Sequence, residues 1–236
     1  MARPAAPTDS GSWGFFVYGH AMIRVACFID GFNLYHSLKR LRLQHLKWLD
    51  LRKLMERQVS PRSEVVTDVY YFSAYATWLG PQVVRHAEYV RALEAHGVTP
   101  ILGQFKEKDR ACKSCGATWK GHEEKETDVS IALYVLNEAY KNTYDKALVV
   151  SRDSDLKPAV AMVRALFPAK ELMIVAPPNS GHSNDLIAVA SSKRKISLRQ
   201  VEQSLFPQTV IDRATGAVAA TRPSKFDPPA GWAPPP

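Results

Sequence analysis

Residues 146–167 read KALVVSRDSDLKPAVAMVRALF, and they decide the fold class. The opening KALVVS is short, apolar and β-branched, which is typical of a buried strand. The closing DLKPAVAMVRALF repeats apolar residues three and four positions apart, which predicts an amphipathic helix with Pro158 tolerated in its first turn. Asp153 and Asp155 stand between the two elements, where a charge is costly unless it is solvated, paired or bound to a cation. A polar turn is the simplest explanation for this pair, so the rest of the chain must decide.

The same alternation of strand and helix patterns continues from Arg24 to about Phe206. Predicted strands lie at 24–30, 64–75, 98–105, 146–151 and 171–177, with an edge strand at 193–198. Strands that alternate with helices pair in parallel and carry helices on both sheet faces. The sequence therefore predicts one α/β domain at 23–206, with a mostly parallel central sheet and helices on both faces.

Composition restricts the class of protein. The chain has 236 residues, of which 46% are hydrophobic and 23% charged, as in soluble globular domains. No apolar run approaches the roughly 20 residues that span a bilayer, so no membrane partner is expected. Residues 1–22 lack the apolar core of a signal peptide, and residues 207–236 are rich in Pro and Ala. We predict a disordered extension at 1–22 and a disordered tail at 207–236.

The cysteine count and the net charge indicate a compartment and a kind of partner. Three cysteines are too few for a disulfide framework and fit a reducing compartment, so we expect a cytoplasmic protein. A net charge of +8 and a pI near 9.4 favour a polyanionic partner.

Acidic side chains recur where the predicted strands end. Asp30 ends the first strand with Asn33 one turn further on, Asp153 and Asp155 follow the fourth strand, and Asp128 opens a long helix. In open parallel sheets, ligands bind beyond the carboxyl ends of the strands. Each residue also has a purely structural explanation, as a turn former, a helix N-cap or a partner of a helix dipole. Carboxylates gathered at one edge repel each other unless a cation offsets them, and oxygen-rich sites suit Mg²⁺ or Mn²⁺.

Four motifs resemble, in order and spacing, the NYN domain of the PIN-like nuclease superfamily in its bacterial LabA-like form. They are FIDGFNLY (28–35), KETDVSIALYV (125–135), VVSRDSDLKPAV (149–160) and APPNSGHSNDL (176–186). The similarity covers about residues 24–200. It implies a PIN-like Rossmannoid fold and a metal-dependent endoribonuclease that cleaves RNA.

The resemblance also implies roles for the acidic residues. Asp30, Asp128, Asp153 and Asp155 would hold one or two Mg²⁺ or Mn²⁺ ions, with Asn33 as the polar partner in the first motif. A water activated by the metal would then attack the phosphorus, with help from one carboxylate.

Two neighbours of Asp153 complete the implied site. Ser151, with Asn33, would orient the phosphate or the attacking water. Arg152 stands where the family usually has glycine, and it could pair with an aspartate or contact the scissile phosphate.

Residues 106–124 form a polar loop that contains a second candidate metal site. Cys112 and Cys115 have the spacing of a zinc knuckle, and His122 is a plausible third ligand. The fourth ligand could be Glu123, Glu124 or a group from a second chain, so a homo-oligomer is an open alternative. Two free thiols are the other explanation, and a structural Zn²⁺ stays an expectation.

The same loop is also a candidate RNA-binding segment. Lys113, Lys120 and Lys125 could follow an RNA backbone, and Trp119 could stack on an unpaired base. A solvated basic loop would have the same composition.

These observations predict a metal-dependent endoribonuclease. The first alternative is a catalytically weak RNA-binding or regulatory module, in which Arg152 disables the metal site. The second is a phosphatase on a similar fold, which is disfavoured because no Asp-x-Asp motif ends the first strand.

Overall fold

The computed structural model describes residues 21–236. The predicted extension at 1–22 therefore lies, except for Ala21 and Met22, outside the described residues. None of the helices within residues 21–236 has the length and apolar character needed to cross a membrane.

One large sheet organises the described residues. Its strands are β1 (Ile23–Asp30), β2 (Glu64–Ala74), β3 (Thr99–Ala111), β4 (Thr118–Lys125), β5 (Lys146–Val150), β6 (Glu171–Ala176) and β7 (Ser192–Lys195). Their order is β4-β3-β2-β1-β5-β6-β7. All neighbours pair in parallel except β4, which runs antiparallel to β3.

Helices connect the strands and cover both faces of the sheet. They are α1 (Gly31–Arg40), α2 (Leu51–Glu56), α3 (Gly80–Ala95), α4 (Thr127–Tyr140), α5 (Lys157–Leu166), α6 (Asn184–Val189) and α7 (Leu198–Glu202). Short 3-10 turns lie at Gln44–Lys47, Ser154–Leu156 and Ser224–Phe226.

Alternation along the central strand β1 divides the core into two layers. Val25, Cys27 and Ile29 pack with apolar side chains of α1, α2 and α3. Ala26 and Phe28 pack with those of α4 and α5 on the opposite face. The predicted α/β class, with a mostly parallel sheet and helices on both faces, is confirmed.

The predicted loop at 106–124 is instead a β-hairpin formed by β3 and β4. Pairing runs from Gln104 opposite Lys125 to Ala111 opposite Thr118. Gly116, at φ 72°, closes the turn and donates its N–H to the carbonyl of Cys112 at 2.9 Å. The strands are charged on both faces, so the apolar alternation that predicts a strand is absent from this sequence.

The segment expected to be a disordered tail, 207–236, contains a second small hairpin of β8 (Thr209–Ile211) and β9 (Val218–Thr221). Val210 and Ala220 are buried against α3, and the N–H of Thr221 donates to Glu88 Oε1 at 2.6 Å. The structure differs from the prediction because this hairpin buries apolar side chains on a partner far away in sequence. The Pro- and Ala-rich composition does not reveal that partner.

Candidate active site and nucleic-acid interface

Asp30 lies where β1 ends and α1 begins, and the residue is 2% exposed. Its Oδ1 accepts the N–H of Asn33 at 2.9 Å, which caps the first turn of α1. Its Oδ2 accepts Asn33 Nδ2 at 2.5 Å and the hydroxyl of Ser151 at 2.8 Å. Hydrogen bonds from the first turn of α1 and from the residue that follows β5 therefore fix this buried carboxylate.

Ser151 connects Asp30 to the aspartates that follow β5. Its hydroxyl oxygen also accepts the N–H of Asp153 at 3.0 Å. Asp153 Oδ1 in turn accepts the N–H of Asp155 at 3.0 Å and caps the 3-10 turn there. Asp153 is half-buried and Asp155 is exposed, so the cluster opens towards solvent on this side.

Asp128 lies in the first turn of α4, close enough to the other three aspartates for their charges to act on its carboxyl. Burial, and then the charges of Asp153 and Asp30, raise the pKa of Asp128 to about 6. Burial also raises the pKa of Asp30, against the hydrogen bonds from Asn33 and Ser151, which lower it. The predicted acidic residues thus converge at one edge of the sheet.

Glu124 belongs to this edge as well, although the sequence suggested it only as a zinc ligand. Its Oε1 accepts the N–H of Thr127 at 3.0 Å and also the Thr127 hydroxyl, so it caps the start of α4. Its charge contributes to the raised pKa of Asp128. In the sequence, this capping role is indicated by a glutamate three positions before the first residue of α4.

The donor set at this edge fits Mg²⁺ or Mn²⁺ by its chemistry, because hard cations prefer carboxylate oxygens. In their described positions, within residues 21–236, the side chains do not form a cluster of three or more ligands around one point. Both Asp30 oxygens accept hydrogen bonds, and Asp155 is exposed. An ion bound here would retain several water ligands.

Arg152 is exposed, and its backbone does not adopt the positive φ that would favour the glycine usual at this position in the family. Its φ is not among the positive values of the described residues. The ion pairs of residues 21–236 include none between Arg152 and an aspartate. The guanidinium therefore leaves the acidic cluster unneutralised.

The β3–β4 hairpin presents two different faces, because directly opposite residues of an antiparallel pair share a face. We call one of them the cationic face, and its charged residues are Lys106, Lys108, Arg110, Lys125 and Glu123. Glu123 is shared by Lys125 at 3.1 Å and Lys108 at 3.5 Å. Trp119, 51% exposed, lies opposite Arg110 on the same face.

The other face of the hairpin holds Lys120, which lies within 2.9 Å of Glu107 and 2.7 Å of Asp109. Its charge is therefore already offset within the hairpin. Lys113 is exposed in the turn. Of the predicted RNA-binding residues in the hairpin, Trp119 and Lys125 are both on the cationic face, Trp119 near the turn and Lys125 at the other end of β4, and Lys120 is not on that face.

The structure does not bring the proposed zinc ligands together. Cys112 and Cys115 are free thiols in the turn, whereas His122 lies well along β4 and stacks on Trp78 with 3.6 Å between ring centroids. N–H groups of Cys115 and Ser114 lower the pKa of the Cys112 thiol. The part of the chain described here contains no zinc-like cluster, so free thiols are the better description.

Comparison with known proteins places these features in a family context. Residues 24–197 match the NYN domain family. The 6-hydroxy-3-succinoylpyridine 3-monooxygenase HspA of Pseudomonas putida (strain DSM 28022 / S16) is 30% identical over 213 residues. That match covers 73% of this chain and 66% of the relative, slightly less than two thirds of its length.

A solved structure of a protein of unknown function from Vibrio parahaemolyticus RIMD 2210633 aligns with a TM-score of 0.49 at 17% identity. The alignment covers 78% of this chain and 97% of that chain.

Proposed function

Because this chain belongs to the NYN domain family, and so to the PIN-like nuclease superfamily, we propose that it is a metal-dependent endoribonuclease. The match confirms the resemblance predicted from four sequence motifs. The observation that carries the proposed activity is the convergence of Asp30, Asp128 and Asp153: Ser151 links Asp30 to Asp153 through hydrogen bonds, and the charges of Asp153 and Asp30 add to burial in raising the pKa of Asp128. Such perturbed carboxyls cluster at functional sites, and these lie where parallel sheets bind ligands.

Asp30, Asp128, Asp153 and Asp155 would hold Mg²⁺ or Mn²⁺, and such an ion neutralises charge at a phosphodiester and lowers the pKa of a coordinated water. Ser151 and Asn33 orient Asp30 through their hydrogen bonds. These bonds also favour the ionised carboxylate against the cost of its burial.

Two cationic regions support RNA as the substrate. Arg152 is exposed beside the acidic cluster, where its guanidinium could contact the scissile phosphate. The cationic face of the hairpin precedes α4 in the chain and joins charge to an exposed indole, as single-stranded RNA sites do.

Cleavage of a labelled RNA of mixed sequence, in Mn²⁺, Mg²⁺ or EDTA, tests this proposal. We expect Asp30→Asn and Asp153→Asn to lower the metal-dependent rate at least about 100-fold, since each removes a metal-binding charge. Asn keeps one oxygen to accept the N–H that each aspartate caps, and at position 30 the Asn33 amide and the Ser151 hydroxyl can turn to accept from the new amide group, so both variants should fold.

Asp68→Asn is the matched control. Asp68 lies in β2 opposite Ala26, four residues before the end of β1, or roughly 13 Å from the acidic edge. Its rate should stay within about twofold of the wild type, given the usual small effect of remote polar changes. Cleavage that persists in EDTA, or equal rates for all variants, would contradict the proposal.

The alternative of a catalytically weak RNA-binding module is favoured by the absence, in residues 21–236, of a closed ligand cluster. It predicts RNA affinity that falls steeply with salt and is indifferent to EDTA, without cleavage. The same assay, combined with a binding titration, separates the two functions.

A second candidate function is action on a small heteroaromatic acid, the kind of compound named for the P. putida relative. The observation that favours it is an aromatic cavity beside the end of β1. This second function requires that the cavity binds such a compound.

A further inference from the structure

A cavity of about 480 Å³ opens between α1, α3 and the end of β2. Its size is within the usual range for small-molecule sites. Gly31, the residue directly after Asp30, contributes to its wall, and Lys225 and Phe226 approach it from the C-terminal segment. The cavity therefore adjoins the acidic edge but lies on the α1–α3 side of the sheet.

The wall of this cavity is largely aromatic. Phe105 packs edge-on against Phe32 at 5.7 Å and against Trp78 at 4.7 Å between ring centroids. Tyr71, Tyr89 and Phe226 also line it. Aromatic side chains in edge and offset arrangements provide complementary surfaces for a planar ring.

His86 supplies a polar group inside the apolar wall. Its Nε2 lies 3.3 Å from the hydroxyl of Tyr71 and 3.5 Å from that of Ser73. Burial lowers the pKa of His86 to about 4, so its imidazole is neutral and can donate one hydrogen bond and accept another. Nε2 already faces the two hydroxyls, whereas Nδ1 has no hydrogen-bond partner within residues 21–236 and is the ring nitrogen left for a ring heteroatom or an exocyclic polar group of a ligand.

Cations gather at the same cavity without a matching carboxylate. They are Lys39, Lys47, Arg85 and Lys225. Lys47 is close enough to the other three that their charges, after burial, lower the pKa of its ammonium group. Across residues 21–236, none of the four takes part in an ion pair with Asp or Glu. Uncompensated like charges of this kind are relieved by an anionic ligand.

We propose that this cavity binds a ligand composed of one planar aromatic ring and an attached anionic group. The ring lies among the aromatic side chains with its polar edge towards His86, and the anion lies against Lys47 and Arg85. Two sources supply this chemistry: a nucleotide, with its base and phosphate, or a free single-ring aromatic acid. If the source is RNA, the inference rests on the proposed nuclease function, and the cavity selects a base next to the cleaved bond.

Binding to the full chain in EDTA tests the site without any need for cleavage. The probes are the four nucleoside 5′-monophosphates, pyridine-3-carboxylate and, as a probe without an aromatic ring, ribose 5-phosphate. Isothermal titration calorimetry is expected to show saturable binding of at least one aromatic probe and at least about tenfold weaker binding of ribose 5-phosphate. A nucleotide preference identifies the nucleotide source, and a preference for pyridine-3-carboxylate identifies the aromatic acid.

Two kinds of variant locate the binding. Lys47→Glu combined with Arg85→Glu should raise the Kd at least about tenfold, because the anion loses two partners and meets two like charges. Lys193→Glu combined with Lys195→Glu makes the same charge change on β7, four strands from β2, and should stay within about twofold. Ala76→Trp, which fills the cavity from its rim, should abolish binding while thermal unfolding remains cooperative.

Three results would overturn the proposal. They are no binding of any aromatic probe by the wild type, equal binding of ribose 5-phosphate, or equal losses in the two double variants. Because divalent metal is absent, a failed nuclease assay has no bearing on these outcomes.

Discussion

Asp128 illustrates how a catalytic candidate can lower the stability of its own fold. It is a half-buried carboxyl that faces the charges of Asp153 and Asp30. Burial and these charges disfavour its ionised form and raise its pKa to about 6. The ordinary Asp pKa is about 3.9, so between about pH 4 and pH 6 the folded protein holds a proton that the unfolded chain has released. Stability therefore falls as the pH rises through this window and stays lower above it.

Asp128→Asn should accordingly stabilise the metal-free protein at pH 7.5 and leave it nearly unchanged at pH 4. We expect a gain of up to about 1 kcal/mol, after discounting the pKa shift for the partial exposure of the group. Thermal unfolding in EDTA at both pH values measures it. Added Mn²⁺ should raise the melting temperature of the wild type more than that of the variant, because stabilisation by a ligand grows with the logarithm of its concentration divided by its Kd, and the variant binds the ion more weakly. A variant that is less stable at pH 7.5 would show that Asp128 is a structural cap.

In the β3–β4 hairpin, the register of the two strands determines which charged side chains share a face. Consecutive residues alternate faces, so Lys106 joins the cationic face and Lys120 joins Glu107 and Asp109 on the other. Sequence proximity alone places all lysines of 106–125 in one basic segment. Register decides which of them are available to a phosphate.

Lys106→Ala should therefore weaken binding of single-stranded RNA and reduce the slope of log affinity against log salt by about 0.7, the value for one phosphate contact. Lys120→Ala should have little effect on that slope, because its charge is already offset by two carboxylates. Fluorescence anisotropy over a salt series measures both. Equal slopes for the two variants would mean that the hairpin acts only through its net charge.

At the scale of the whole molecule, the C-terminal segment completes the domain. Trp48 donates its indole N–H to the carbonyl of Pro207 at 2.8 Å, and β8 and β9 cover α3. Phe226 then reaches the aromatic cavity. The domain thus extends beyond the boundary at 206 that composition suggested.

Val210→Asp tests whether the C-terminal segment packs on the rest of the domain, and Ile211→Asp on the same strand is its control. Val210 is fully buried, so the unpaired charge should cost about 2–4 kcal/mol of unfolding free energy. Ile211 is 44% exposed on the same strand, and Ile211→Asp should change stability by less than about 0.5 kcal/mol. Urea unfolding followed by tryptophan fluorescence measures the difference. A tail that does not pack would make the two variants indistinguishable.

Local patterns in the sequence were enough to predict the parallel strands of the sheet, the helices on both of its faces and the edge where Asp30, Asp128 and Asp153 meet, but not the antiparallel strand β4. These features follow from local periodicity and from the rule that parallel strands present their carboxyl ends together. Asp30 also caps the helix that follows it, so motif and local structure depend on the same few residues.

Contacts between groups that are far apart in the chain could not be predicted from the sequence. Lys47, Arg85 and Lys225 come from unrelated parts of the chain, and no spacing rule links them. Val210 and Ala220 become buried only because α3 lies beneath them, and His122 leaves the cysteines because it lies along a strand and stacks on Trp78. The physical reason is the same in each case: periodicity encodes the face that a residue occupies, whereas its neighbours depend on how distant segments pack together.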